Sequence, residues 1–375
     1  MKIGIPKEIK PDEYRVSVTP EAVREYVAAG HSLLVETEAG AGIGASDEAY
    51  RNAGAEIVSS AAAVFEHATM IVKVKEPQPE EWARLRDHHI LFTYLHLAAD
   101  PEQARGLIRS RCVAVAYETV TDSMNRLPLL APMSEVAGRL AVEAGCFALR
   151  RLAGGRGLLL GGVPGVPPAL VTIIGAGVVG MNAARMAVGL GAEVELLDRS
   201  LERLRIADDM FQGRVRTKFS SIDTVENAIA ASDVVIGAVL IPGATAPKLV
   251  TREMLKKMKR GAVIVDVSID QGGCFETSKP TTHHSPTYEV EGVIHYCVAN
   301  MPGAVPLTSS RALVNATLPY GIALAGGGMK AIQENAGLQA GMNVCGGHIT
   351  SQAVAASLGM PYMPPLEAIR SAARA

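Results

Sequence analysis

Over the first third of the chain, short apolar runs alternate with segments of helical spacing, the pattern of a parallel sheet with crossover helices. Residues 2–5, 32–36, 69–75, 90–95 and 112–117 read as strands, and 20–29 and 47–53 as helices. Thr19 is placed to cap the first helix, Pro20 suits its first position, and Gly30 and Gly54 close the two helices. Apolar positions at helical spacing from 134 to 153 predict a long helix, and a Gly/Pro-rich loop follows from 154 to 168. A second alternating series then predicts strands at 169–174, 193–197, 233–239, 262–267 and 293–298. From Ser309 onward the pattern turns helical, interrupted by Gly326-Gly327-Gly328, and too little chain remains for a third domain. The expectation is an α/β protein of two Rossmann-like, doubly wound parallel-sheet domains with an interdomain cleft. One domain takes 1–130 together with the returning segment 306–375; the other takes 131–305.

Composition narrows the partners. With 375 residues, 48% hydrophobic and 20% charged, both domains can bury a core. The net charge of -2 and the absence of any Lys/Arg block favour small molecules over nucleic acid or an anionic membrane surface. Five widely spaced cysteines without a C-x-x-C pair suit reduced thiols in the cytoplasm. The N-terminus, charged by Lys7, does not read as a signal peptide. An uncharged stretch between Arg156 and Arg185 is long enough to cross a bilayer, but Pro164, Pro167 and Pro168 break it as a helix.

The clearest chemistry sits in the second series. The apolar run Ala169–Ile174 leads directly into Gly175-Ala176-Gly177-Val178-Val179-Gly180 and a helix. In this context Gly175 makes the tight turn, Gly177 admits a pyrophosphate to the backbone, and Gly180 lets helix and strand pack closely. The next strand ends in Asp198, 18 residues beyond Gly180, where a carboxylate can accept from ribose hydroxyls and repel a 2′-phosphate. NAD is therefore expected over NADP, although Arg199 and Arg203 lie close enough in sequence to meet a phosphate. Ligands of such sheets lie beyond the carboxyl ends of the strands, which nominates Val239, Leu240, Val267, Ser268, Ile269, Asp270, Val298, Asn300 and Met301 as the remaining cofactor wall.

The same rule applied to the first domain collects Lys75, His96 and Glu118 at predicted strand ends, with Asp270 ending a strand of the second. If the two carboxyl edges face each other, Asp270 meets Lys75 and His96. On spacing alone Lys75 is equally a solvated strand end, His96 a satisfied core histidine and Asp270 a turn cap. Glu118 looks structural, and Arg15 reads first as a surface residue in a turn. The remaining histidines lack metal-ligand spacing with matched partners, so no catalytic metal is expected.

Several strings make the chain similar to bacterial alanine dehydrogenases over nearly its whole length. They include Ile3–Glu8 with Arg15, Val72–Pro77, Thr93–Leu97, Pro132–Gly138, Asp270–Glu276 and Asn300–Pro306. The resemblance implies Arg15 and Lys75 as substrate ligands and His96 and Asp270 as acid/base groups. It implies Ser134, Asp198, Arg203 and Ser220 as cofactor contacts, with 131–305 as the NAD domain and 1–130 with 306–375 as the substrate and catalytic domain. It further implies reversible oxidative deamination of L-alanine to pyruvate and ammonium, and a homohexamer. Leu307, where many relatives would carry a basic residue, and the segment Cys345-Gly346-Gly347-His348 depart from the family pattern. Rival readings are an NAD-binding alpha-like subunit of a transhydrogenase, a saccharopine-forming dehydrogenase and a non-catalytic NAD sensor.

Overall fold

The computed structural model describes residues 1–239 and 246–373. In chain order the strands are β1 (Lys2–Ile5), β2 (Ser32–Glu36), β3 (Glu56–Val58), β4 (Met70–Val72), β5 (Ile90–Thr93) and β6 (Val113–Ala116). They continue with β7 (Leu170–Ile174), β8 (Glu193–Asp198), β9 (Val215–Phe219), β10 (Val234–Gly237), β11 (Val263–Asp266), β12 (Thr287–Val290) and β13 (Val293–Tyr296), and end with β14 (Met342–Cys345) and β15 (His348–Ile349). The chain divides into two compact units, Met1–Met133 with Val305–Ala375 and Ser134–Ala304.

The first unit holds a sheet of order β15-β14-β6-β5-β4-β1-β2-β3. Its six N-terminal strands pair in parallel, and β14 and β15 add antiparallel at one edge. The second unit has the order β12-β13-β11-β10-β7-β8-β9, parallel except for the β12–β13 pair. In both sheets the first strand of the unit lies between its second and fourth. That strand order reverses direction at one point, between β1 and β4 and between β7 and β10, and such a switch point opens a crevice at the carboxyl ends.

Burial explains why these strands read as unbroken apolar runs. In the second unit Val171, Ile173, Val194, Leu196, Val234, Ile236, Val263 and Val265 pack into one core, while Ile174, Leu197, Val235 and Ile264 pack into another. Neighbouring residues face opposite sides of a sheet, so covering both faces with helices demands apolar side chains at every position.

Most differences from the sequence expectations are at sheet margins. The strands expected at 69–75, 90–95, 112–117, 233–239 and 262–267 are shorter than predicted. Five strands, β3, β9, β12, β14 and β15, were not expected. β3 has only three residues, and β9 alternates apolar with charged positions: Arg216 and Lys218 pair with Glu193 and Glu195 of β8, each at 2.8 Å. β12 lies at the edge of its sheet, and β14 falls in a segment read as helical. The unusual Cys345–His348 string is the turn of the β14–β15 pair: Gly346 and Gly347 both have positive φ, as a two-residue hairpin turn of the primed type requires. The predicted long helix spans Ala131–Ala148 and is followed by a separate turn at Arg151–Ala153. Thr19 occupies the capping position of Pro20–Ala28 but makes no capping hydrogen bond. Among the described residues no helix is long and apolar enough to cross a membrane.

Candidate functional site

In the second unit the turn after β7 is built for close approach. Gly175 has φ +109, and a Cβ there would lie 2.6 Å from the carbonyl oxygen of Ala238 beyond β10. A Cβ on Gly180 would lie 1.8 Å from the Gly175 carbonyl, so the helix Val178–Gly189 can start against the strand only with glycine at that position. Gly177 caps this helix without a side chain, and space for 4 Å around its missing Cβ is open. Val178 is exposed and Val179 half-buried beside it. Exposed N–H groups of a helix N-terminus and open space over a glycine are what a pyrophosphate needs.

Asp198 ends β8 almost fully buried. One carboxylate oxygen accepts from the Ala176 N–H at 2.7 Å and the other from Ser200 N–H at 2.7 Å, tying the glycine turn to the ribose end. The Arg203 guanidinium lies 3.8 Å from this carboxylate, on a largely exposed side chain. Ser220, buried beyond β9, donates its N–H to the Asp198 carbonyl at 2.9 Å. The residues present thus fit a nicotinamide dinucleotide on three counts: an uncapped helix N-terminus, a cradle that a Cβ would fill, and a carboxylate at the end of the second strand.

The rest of the nominated wall is uneven. The Ser268 hydroxyl donates to the Val239 carbonyl at 2.8 Å, bringing the ends of β10 and β11 together. Val267 and Ile269 lie in the same turn as Ser268, with Ile269 buried. Val298 and Met301 are buried, and Asn300 stands between them at φ 58. Ser134 is half-buried in the helix Ala131–Ala148. Leu240 lies outside the described residues.

Asp270 requires a correction. It does not end a strand: β11 stops at Asp266, and Asp270 is exposed in the short 3-10 turn Val267–Gln271. The strand-end carboxylate is Asp266, fully buried, which accepts from the N–H groups of Ser268 and Cys274 and from the Ser278 hydroxyl at 2.6 Å. Burial pushes its carboxyl above the ordinary value, against the pull of the Ser278, Phe275, Cys274 and Ser268 hydrogen bonds. Apolar residues on both sides of Asp266 concealed the end of the strand in the sequence.

In the first unit, the carboxyl edge from β1 to β6 carries a dense set of charges. Arg15 is buried, not a surface residue: its Nε donates to Glu13 at 2.6 Å and a second nitrogen bonds the other Glu13 oxygen at 2.5 Å. Its remaining terminal nitrogen lies 3.1 Å from the Met133 sulfur. Burial works against this charge, but Glu13 more than offsets it and raises the guanidinium above its ordinary value. Lys75 is half-buried beyond β4, its carbonyl accepting from Thr93 at 3.0 Å.

Glu8, which follows β1, was not singled out in the sequence. Its carboxylate spans the switch point, accepting from Val74 N–H at 2.6 Å, from Lys75 N–H at 3.4 Å and from the Lys73 ammonium at 3.0 Å. Lys73 is wholly buried and lies 2.7 Å from Glu81 as well. Burial raises the Glu8 carboxyl, and it opposes the charge on Lys73, which its two carboxylates more than restore. A signal for this cluster did exist: Lys73 interrupts an otherwise apolar run where a buried cation needs partners.

His96 is exposed at φ 50, its ring stacked on Tyr94 at 5.7 Å. Glu118 accepts N–H bonds from Leu95 at 3.2 Å and from His96 at 2.6 Å. Arg15, Lys75, His96 and Glu118 therefore occupy one edge of one sheet, and the glycine turn, Asp198, Ser220 and Ser268 occupy the carboxyl edge of the other. Among the described residues no group of three or more His, Cys, Asp or Glu could hold a metal ion.

Two family models and several known proteins match the chain over most of its length. Residues 4–137 match the family described as Alanine dehydrogenase/PNT, N-terminal domain, and residues 141–352 match Alanine dehydrogenase/PNT, C-terminal domain. The chain is 57% identical to the alanine dehydrogenase of Halomonas elongata, covering 97% of this chain and 98% of that one. It is 54% identical to the alanine dehydrogenase of Bacillus subtilis, covering 99% and 98%. Among solved structures, it is similar to an L-alanine dehydrogenase with a TM-score of 0.93 at 50% identity, covering 96% of this chain and 99% of that one. It is also similar to a transhydrogenase from Sinorhizobium meliloti, with a TM-score of 0.79 at 27% identity, covering 94% and 100%.

Proposed function

The chain belongs to the alanine dehydrogenase/PNT family, and from that premise we propose that it catalyses the reversible, NAD-dependent oxidative deamination of L-alanine to pyruvate and ammonium. The observation that carries the reading is the grouping of Arg15, Lys75 and His96 at one carboxyl edge of a chain with a dinucleotide turn. Arg15 binds the alanine carboxylate, its plane fixed by the two Glu13 bonds. Lys75 adds a second cation and, in the reductive direction, polarises the carbonyl oxygen of pyruvate. Bound nicotinamide supplies the acceptor, at C4, for the hydride that leaves Cα.

His96 takes the proton from the water that attacks the resulting iminium carbon and returns it in reverse, a task for which an imidazole suits neutral pH. Asp270 orients that water, or ammonia in reverse, and balances the cationic intermediate. Ser134, Gly175, Gly177, Val178, Val179, Gly180, Asp198, Arg203 and Ser220 hold the cofactor, with Val239, Val267–Ile269, Val298, Asn300 and Met301 as its wall. A homohexamer and a cytoplasmic location complete the proposal. The first follows from the resemblance, and five unpaired cysteines favour the second.

A transhydrogenase-like subunit would pass hydride between nucleotides and has no amino acid to protonate, so His96 and Asp270 would be idle in it. His96→Ala distinguishes the two. Loss of a positioned acid/base group is expected to lower kcat for alanine oxidation by about 100-fold or more. A near-normal kcat with unchanged pH dependence contradicts the assignment.

A further inference from the structure

The backbone that carries Asp270 lies outside the named strands and meets residues 246–250 at one parallel bridge, Val250 with Phe275. It passes from the turn Val267–Gln271 through Gly272 and Gly273, both at positive φ, to Cys274 and Phe275. Backbone groups outside regular structure need partners; the N–H groups of Ala246 and Leu249 bond the Gln271 and Cys274 carbonyls at 2.9 and 2.8 Å, and two charged side chains supply further partners with opposite polarity. Asp266 takes the amides, with Ser268 N–H at 3.1 Å on one oxygen and Cys274 N–H at 3.0 Å and Phe275 N–H at 3.5 Å on the other. Lys248 takes the carbonyls, its ammonium donating to Gly272, to Gly273 at 2.9 Å and to Phe275 at 3.2 Å. An ammonium has three donors and no acceptor, so three converging carbonyls match it completely. Charge-assisted bonds of this kind are roughly twice as strong as neutral ones.

We propose that Lys248 and Asp266 are positioning residues for Asp270, clamping the loop from both sides so that the Asp270 carboxylate is presented at one fixed place. Neither charge needs to reach substrate. The inference rests on the proposed role of Asp270 in the reaction. Lys248 grips the segment after Asp270, whereas the proposed cofactor contacts Val267, Ser268 and Ile269 precede it. Its removal therefore loosens the acid/base group more than the cofactor wall.

Lys248→Met in the full chain tests this. Displacing a reacting group by about 1 Å can cost up to about 100-fold in rate, so kcat for alanine oxidation is expected to fall about 10-fold or more. KM for alanine and the NADH dissociation constant, read by fluorescence titration, should stay within about threefold of the parent. A kcat within twofold of the parent, whatever the thermal stability, overturns the proposal. So does a loss carried equally by NADH affinity, which would make Lys248 a general support of the unit. Should K248M fail to fold, Ser278→Ala leaves Asp266 its three backbone donors and reads the same quantities. A kcat fall of about threefold at constant KM supports the clamp, and an unchanged kcat overturns it. If the parent protein itself produces no NADH from alanine, the deamination reading is what fails.

Discussion

The N–H groups of Leu95 and His96 both end on the carboxylate of Glu118, where His96 is held at φ 50. A non-glycine residue in that region costs on the order of 1–3 kcal/mol unless its surroundings enforce it. The ring Nδ1 stands 4.0 Å from Glu118, beyond hydrogen-bond distance, so the carboxylate acts through the backbone. Glu118→Ala, which removes the acceptor of both donors, is therefore expected to lower kcat about 10-fold with little change in KM for alanine, by steady-state kinetics. Asp198→Asn retains an acceptor for Ala176 N–H but removes the charge facing the ribose. Its preference for NAD over NADP, as a ratio of kcat/KM, should drop about 10-fold or more. His89 offers a test of stability. Burial first, then the neighbouring His88 and Arg86, hold its imidazole down at about 4, while its ring nitrogens bond the Arg86 N–H and the Phe65 carbonyl. Between about 4 and 6.5 the unfolded chain binds the extra proton, so stability is lost as pH falls through that window, by about 3 kcal/mol at most. His89→Gln should shrink this part of the pH dependence in denaturant titrations; an identical dependence would show that His89 is not the source.

At the scale of elements, the glycine turn is the most constrained piece of the second unit. Gly180→Ala drives a Cβ into the Gly175 carbonyl at 1.8 Å and must push the helix Val178–Gly189 off β7. A loss of about 2 kcal/mol or more in stability and of about 10-fold or more in NADH affinity is expected, by thermal denaturation and fluorescence titration. This turn was legible in the sequence because glycine, strand and acid occur in a fixed order with a stated reason for each. β9 was not legible, since its inward residues alternate with Arg216 and Lys218, whose partners lie on the neighbouring strand. The same blindness to partners hid the Lys248 clamp, since a lysine bonded to carbonyls 24 to 27 residues on leaves no local pattern; of the Glu8–Lys73–Glu81 cluster only Lys73, alone in an apolar run, left a local mark, and its partner Glu8 lies 65 residues away. Asp270 was nominated by the strand-end rule but misplaced, because an apolar run does not record where a strand becomes a 3-10 turn.

For the whole molecule, the first five strands of each unit share one order, so the carboxyl-edge rule nominates residues in both from the same principle. That rule selects an edge; it does not select a substrate. The step from a dinucleotide site to alanine came through resemblance, since many chemistries share this fold. The most direct test is therefore on the intact chain: NADH formation on adding L-alanine with NAD, with pyruvate and ammonium quantified in the same sample and glycine, serine and saccharopine run alongside. The account predicts one pyruvate and one ammonium per NADH, with alanine preferred. NADH binding without any amino-acid-dependent NADH formation, or a preference for saccharopine, would contradict it.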